Sequence, residues 1–341
     1  LNDSVFGNLL NSSGYLVSAN TCPDQARAIP VGGSFTCSFD AYLEGDASDP
    51  DHVDTVLATV TDDEGNPASD ADEARVAFAD TDPSLEVAKG ATPGTVPEPG
   101  GTVTFTVEVE NTSVEPVTLT SLRDSVFGDL LDLANTAVSA NTCPAQPALI
   151  PRGGSFSCSF QAFVAGDAGD PDHLNRVTGI VTDDEGNPAT ASDEARVRFD
   201  DVAPAIETTK TATPGAVPEP GGLVTFEIRV ENLSVEPVTL TSLTDSSFGD
   251  LRFAGNALVL ANTCPAQPAE IPAGGAFACS FQAYVSGDAG DPDHRNVVTA
   301  VAVDDEGNRS ARTAAAALAA EDALPAVTVA KLPSADAVPE P

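Results

Sequence analysis

SFSCSFQAFVAGDAGDPDHLNRVTGIVTDDEGN, Ser155 to Asn187, is the stretch whose reading decides the fold. In its opening residues Phe156, Cys158, Phe160 and Ala162 point one way, and Ser155, Ser157, Ser159 and Gln161 the other. Period-two alternation belongs to a strand with one face buried and one face wet. GDAGDPDH comes next, an acidic turn whose glycines and proline do not suit a strand interior. A second strand-like run, Val177 to Thr182, leads into another acidic turn, DDEGN. The same design stands 121 residues earlier, Ser34 to Asn66, and 121 residues later, Ala276 to Asn308.

Working outward, the rest of the chain keeps this phase. Asp3, Asp124 and Asp245 each open a DSxFG segment, and His52, His173 and His294 each follow DPD. Lys89, Lys210 and Lys331 are the only lysines and keep the same spacing. Self-similarity at a fixed period is the mark of a repeat array. In the repeat that starts near Pro83, strands are expected at SLEVAK, Thr102–Asn111, Pro116–Leu122, Ser155–Val164, Leu174–Thr182 and Ala195–Phe199. DSVFGDLLDLANTAVSANTCPAQPALIPRGG between them reads as a crossing loop with short strand pieces. Val, Thr and Phe fill the strand positions, and no sustained helical stripe interrupts them.

The expected fold is all-β: tandem immunoglobulin-like antiparallel β-sandwich modules with a 121-residue repeat. The expected domains are a partial repeat over 1–81 lacking its leading strands, complete repeats over 82–202 and 203–323, and the leading strand of a further repeat over 324–341. The first repeat has no counterpart of Gly100 to Ser121, so the sequence reads as a slice of a longer or processed polypeptide.

The chain carries 52 acidic against 15 basic residues, a formal charge of -37. Phosphate backbones and anionic membrane surfaces would be repelled, so nucleic acid is excluded as a partner. No apolar run is long enough to span a bilayer as a helix. The six cysteines fall into three pairs, Cys22 with Cys37, Cys143 with Cys158 and Cys264 with Cys279. Two cysteines and one distant histidine per repeat make a poor zinc set, so a disulfide within each repeat is expected. Disulfides place the chain outside a reducing cytosol, in the extracellular space or on the cell surface.

PSLEVAKGATPGTVPEPGGTVTFTVEVENTS, LIPRGGSFSCSF and NRVTGIVTDDEGNPATASDEARV together resemble bacterial cell-surface tandem Ig-like repeats of the DUF11 and DUF7507-like type. The resemblance covers essentially every repeat and implies extracellular Ig-like modules in very long surface proteins, without established enzymatic residues. The sequence departs from that pattern at IPVG, IPRG and IPAG, at DDEGN, and at the acidic insertion GDAGDPDH.

Calcium takes six to eight hard oxygen ligands, and acids alternating through a glycine-containing turn offer them. The candidate metal ligands are Asp46, Asp49, Asp51, Asp62, Asp63 and Asn66 in the first repeat. In the second they are Asp167, Asp170, Asp172, Asp183, Asp184 and Asn187, and in the third Asp288, Asp291, Asp293, Asp304, Asp305 and Asn308. Glu64, Glu185 and Glu306 share the second of each pair of turns. A strand of about ten residues separates the two turns by about 30 Å, so they need not share an ion. Solvated turns on an acidic surface are the alternative.

One lysine per repeat at a fixed place is open to two readings. It forms an amide cross-link to an asparagine side chain with a buried acid assisting, with Asn111 and Asn232, or Asn175 and Asn296, as partners. Alternatively it snorkels and pairs with the abundant carboxylates. The histidines have no nucleophile pattern beside them and read as turn-capping residues. Asn11, Asn111, Asn232 and Asn308 stand in Asn-x-Ser/Thr triplets. The expected function is a non-enzymatic structural segment of an extracellular fibre, stalk or surface layer, its partners neighbouring copies of the same repeat, head to tail. The alternative is an adhesin-type array for glycans or cell-surface proteins.

Overall fold

The computed structural model describes residues 1–11, 16–22, 27–143, 148–264, 268–332, 334 and 337. The chain packs into two compact units, which do not follow the repeat boundaries. One holds residues 1–90, 105–161 and 175–195; the other holds 91–104, 162–174 and 196–341. The described residues contain strands, turns and bends, with no helix long and apolar enough to cross a membrane.

The third repeat lies wholly in the second unit and shows the design most fully. One sheet orders the strands Ile206–Thr213, Gly221–Asn232 and Ala276–Ser286. The other runs from Ala216–Pro218 through Arg309–Glu321, His294–Val303 and Val238–Asp245 to Gly249–Asp250, with Ala269–Ile271 also on the Val238–Asp245 strand. The long strands alternate as their sequences require: Val224, Phe226, Ile228 and Val230, with Phe281 beside Phe226 in the same sheet, are buried in one core with Leu240, Leu243 and Val298 of the other sheet. Phe226 and Phe281 stack with centroids 5.1 Å apart, and Phe248 meets Phe281 edge-on at 5.6 Å. Two antiparallel sheets closing face to face on alternating inward side chains form a β-sandwich.

One pairing departs from the antiparallel expectation. Ala216–Pro218 runs parallel to Ala319–Glu321, and Thr95–Pro97 runs parallel to Arg198–Asp200. The prolines tolerate this because they sit at a sheet edge, where no donor is needed. The second repeat follows the same element order and spacing, from Leu85–Thr92 to Pro188–Asp200. Its last strand starts at Pro188, seven residues before the expected Ala195.

The first repeat corrects one expectation. Ser34–Phe39 forms no strand, although its counterparts Ser155–Ala165 and Ala276–Ser286 form eleven-residue ones. In the third repeat that strand pairs from Ala276 to Ser286 with Gly221–Glu231, whereas Ser34–Phe39 enters no ladder among the described residues. A strand without a ladder partner is not held in place. Val60 and Val76 are accordingly 52% and 47% exposed, whereas Val181 and Val197, one repeat on, are fully buried. Toward the end of the chain Val327 and Val329 are 84% and 85% exposed in coil, and most of 333–341 lies outside the described residues.

Candidate functional site

The acid turns are built by their own chemistry. In DDEGN the Asn187 N–H donates to Asp183 Oδ1 at 2.7 Å, and the Asp183 N–H donates back to the Asn187 carbonyl. Gly186, at a φ of 92°, supplies the left-handed step that closes this five-residue hairpin. In GDAGDPDH, Asp167 Oδ1 accepts from the Gly169 N–H at 3.0 Å.

The two turns of one repeat do not meet, because a ten-residue strand holds them at its opposite ends. In the second repeat each meets a turn of a neighbouring repeat instead. In the first unit, one oxygen each of Asp46, Asp184 and Glu185 lie within 4.8 Å of one another, as do those of Asp80, Glu115 and Asp183. The second unit gathers five of the counterparts 121 positions on in a different partition, with Asp167, Glu236 and Asp305 in one group and Glu98, Asp201, Glu236 and Glu306 in another. A cleft of about 540 Å³ opens there, lined by Glu98, Asp167, Asp170, Glu236, Asp304 and Asp305 among others.

These groups are held rather than loose. Glu98 is 3% exposed, and its two oxygens accept from the Ala168 and Val202 N–H groups at 2.9 and 2.7 Å. Burial, then the carboxylates of Glu98, Asp305, Glu306 and Asp304, push Glu236 up to about 7. Glu115 is raised for the same reasons, burial first and then Asp46, Asp183, Asp184 and Asp80. Glu236 Oε1 and Glu115 Oε1 are buried with no hydrogen-bond partner. Buried acceptors crowded by like charge are the state that a proton or a cation relieves.

The sequence-derived ligands divide accordingly. Asp46, Asp167, Asp183, Asp184 and Asp305 enter these groups; Asp49, Asp51, Asp62, Asp63, Asp170, Asp172, Asp288, Asp291, Asp293 and Asp304 stand outside them among the described residues. Asp172 instead pairs with Arg196 at 3.0 Å and Arg198 at 3.7 Å. Asn66, Asn187 and Asn308 turn their amide nitrogens to carboxylates; Asn187 Nδ2 donates to Asp80 at 2.7 Å and Asp183 at 3.1 Å. In that orientation they clamp acids and do not offer a ligand oxygen.

A second constellation lies in the core of each complete repeat. Lys89 Nζ donates to Asp124 Oδ2 at 2.5 Å, and Asn175 Nδ2 donates to Asp124 Oδ1 at 2.7 Å. Asp124 Oδ1 also accepts from the Val126 and Phe127 N–H groups, each at 2.9 Å, so the DSVFG turn fixes the carboxylate in place. The rings of Phe105 and Phe160 stand 4.9 and 5.7 Å from Lys89 Nζ. Lys210, Asp245 and Asn296 reproduce these bonds in the third repeat, beneath Phe226 and Phe281. Burial lowers both lysines from their ordinary value, opposed by the aspartate of the pair.

No family model matches the chain, and no curated protein matches it. Solved structures do show similarity. A 1.5-MDa bacterial ice-binding adhesin is 15% identical, with a TM-score of 0.26, over 86% of this chain and 82% of that one. A Ca2+-stabilised adhesin that helps an Antarctic bacterium reach out and bind ice is 16% identical, with a TM-score of 0.24, over 81% of this chain and 58% of that one. A tetra-tandem repeat from the extending region of a large adhesion protein is 18% identical, with a TM-score of 0.22, over 85% and 65%. At these levels the comparison adds no argument about function; the all-β repeat architecture stands on the strands themselves.

Three disulfides join Cys22 to Cys37, Cys143 to Cys158 and Cys264 to Cys279, with Cα atoms 4.9, 4.9 and 5.0 Å apart. Asn111 and Asn232, candidate lysine partners that also stand in Asn-x-Ser/Thr triplets, are fully buried. Asn232 Nδ2 donates to the Glu236 and Ile271 carbonyls, and its Oδ1 accepts from the Ser234 N–H. Both asparagines are therefore structural plugs. The residues missed from sequence are Asp80, Asp201, Glu98, Glu115 and Glu236. Their signal was present: Asp80 and Asp201, and Glu115 and Glu236, also recur at the repeat spacing, in an acidic connection and in a SVEP turn.

Proposed function

We propose that this chain is a non-enzymatic structural segment of an extracellular fibre, stalk or surface layer, whose Ig-like repeats are fixed to one another by calcium. The observation that carries this reading is that carboxylates of successive repeats gather in groups of three or four in both units. Asp46, Asp80, Glu115, Asp183, Asp184 and Glu185 correspond residue by residue to Asp167, Asp201, Glu236, Asp304, Asp305 and Glu306. Calcium takes several carboxylates at 2.3–2.6 Å, and each group supplies three or four. The bound ion would neutralise charge that otherwise pushes neighbouring repeats apart. The disulfides support an oxidising location, and head-to-tail repeats extend without closing.

The test is calcium titration by isothermal calorimetry, with thermal unfolding and small-angle scattering in calcium and in a chelator. Saturable binding, a higher Tm and a narrower spread of scattering dimensions with calcium are expected. Equal melting and scattering in both conditions overturn the calcium-fixed segment. A second reading rests on one repeated feature: Tyr42, Phe163 and Tyr284 occupy the same position in successive repeats and are 81%, 62% and 56% exposed. An exposed ring per repeat suits stacking on sugars, as an adhesin for glycans would need. Saturable, competable binding in a glycan screen, lost in Phe163→Ser and Tyr284→Ser, would promote it.

A further inference from the structure

The Lys–Asp–Asn constellation is not accounted for by the junction chemistry. Burying an ion pair costs several kcal/mol per charge, and apolar residues of similar volume commonly replace such a pair without loss. Yet Lys89 with Asp124, and Lys210 with Asp245, expose none of their side-chain surface. Asn175 and Asn296 are also fully buried, and the Oδ1 of each has no hydrogen-bond partner. A neutral amide placed there merely to satisfy a carboxylate would leave its own acceptor wasted. One carboxylate instead touches the amine of a lysine on one oxygen and the amide nitrogen of an asparagine on the other.

We propose that Lys89 and Asn175, and Lys210 and Asn296, join through an intramolecular amide bond, with Asp124 and Asp245 transferring the proton. Asp124 Oδ2 takes a proton from the Lys89 ammonium, leaving a neutral amine. The Nζ lone pair attacks Asn175 Cγ, the Cγ–Nδ2 bond breaks as the proton held by Asp124 leaves with Nδ2 as ammonia, and the second proton that Nζ sheds as the amide forms passes to Asp124. An Nζ–Cγ amide replaces the primary amide, so neither oxidant nor second substrate enters. Three features favour the step: desolvation of the lysine by the two phenylalanine rings, a carboxylate pinned by the Val126 and Phe127 N–H groups, and enforced proximity. Asp54 occupies the asparagine position in the first repeat, where it faces Asp3, so the reaction is confined to the second and third repeats.

The bond would tie the Leu85–Thr92 strand to the His173–Thr182 strand, and Ile206–Thr213 to His294–Val303, across each sandwich. This goes beyond the calcium reading and stands or falls independently of it, since a chelator does not touch an amide bond. The experiment is intact mass of the full chain, denatured and reduced, followed by tandem sequencing of the cross-linked peptides. A mass below the sequence value by two ammonias, about 34 Da, with Lys89–Asn175 and Lys210–Asn296 peptides, is expected. The unmodified sequence mass overturns the proposal, and loss of water with lysine–aspartate peptides overturns the choice of asparagine. Asp124→Asn keeps an oxygen for the Val126 and Phe127 N–H groups, and should lose one ammonia only, from the third repeat. That third-repeat bond reports that the variant has folded; loss of both ammonias in this variant would remove Asp124 from its role.

Discussion

Lys210 and Asp245 form an ion pair with no solvent-exposed side-chain surface, 35 positions apart in sequence and on opposite sheets of one sandwich. The aspartate also accepts from the Ser247 and Phe248 N–H groups. Asp245→Ala therefore leaves a lysine charge and two donors unpaired beneath Phe226 and Phe281. We expect the unpaired charge to cost roughly 3–5 kcal/mol in urea denaturation, in addition to the loss of the proposed cross-link. The double variant Lys210→Met/Asp245→Asn removes both charges, keeps an acceptor, and should lose less. Because neither variant retains the lysine and aspartate of the proposed cross-link, the comparison isolates the buried charge; equal losses would refute the account.

Gly221 marks the closest backbone approach at the start of the long central strand. A Cβ there would lie 2.3 Å from the Val285 carbonyl oxygen, and the residue adopts a φ of 146°. Both the contact and the conformation require glycine. Gly221→Ala is expected to destabilise the third repeat by at least about 2 kcal/mol. Gly274→Ala, at a φ of 65° with nothing within 4 Å, should cost about 1 kcal/mol. Thermal melts that rank the two the other way would contradict this assignment of the strain.

Much of the sandwich was legible because its signal is local. Val224, Phe226, Ile228 and Val230 alternate in the sequence and lie inward in the core. The DDEGN and Pro–Gly turns between strands are also local signals. The failures share a cause that no window of sequence contains. Ser34–Phe39 carries the same alternation as Ser155–Phe160, yet forms no strand, because alternation alone does not supply the ladder that holds a strand in place. The acid turns were found, but their grouping was not, since it depends on which ends of successive repeats come together. Asn111 and Asn175 looked equivalent as lysine partners. Only register separates them: one plugs backbone carbonyls, while the other reaches Asp124.

The three disulfides close loops of equal length, so their contributions should match. Cys264→Ala/Cys279→Ala is expected to cost about 3 kcal/mol on the chain-entropy account. Peptide mapping without reductant should return Cys22–Cys37, Cys143–Cys158 and Cys264–Cys279 alone. Any peptide bridging two repeats would contradict the pairing.

The carboxylates around Glu236 make a pH-dependent prediction whose sign is fixed by the direction of the shift. Glu98, Asp201, Asp304, Asp305 and Glu306 crowd Glu236, together with Asp167. Burial and this crowding raise Glu236 from 4.5 to about 7, so the folded chain holds a proton that the unfolded chain releases near 4.5. Stability from this group is fully present below about pH 4.5 and is lost as pH rises through about 7. In a chelator, the Tm of the wild type should therefore fall over that interval relative to Glu236→Gln, whose amide cannot ionise. Above about pH 7 the ionised site is competent for calcium, so added calcium should raise the wild-type Tm most there and progressively less as protons compete below it. Glu236→Gln should gain less from calcium at every pH, with the first-unit group around Glu115 supplying the remainder. Melting curves of both proteins across about pH 5–8, with and without calcium, decide it. A wild type that loses no stability against the variant as pH rises in chelator would show that Glu236 is not held protonated by its neighbours.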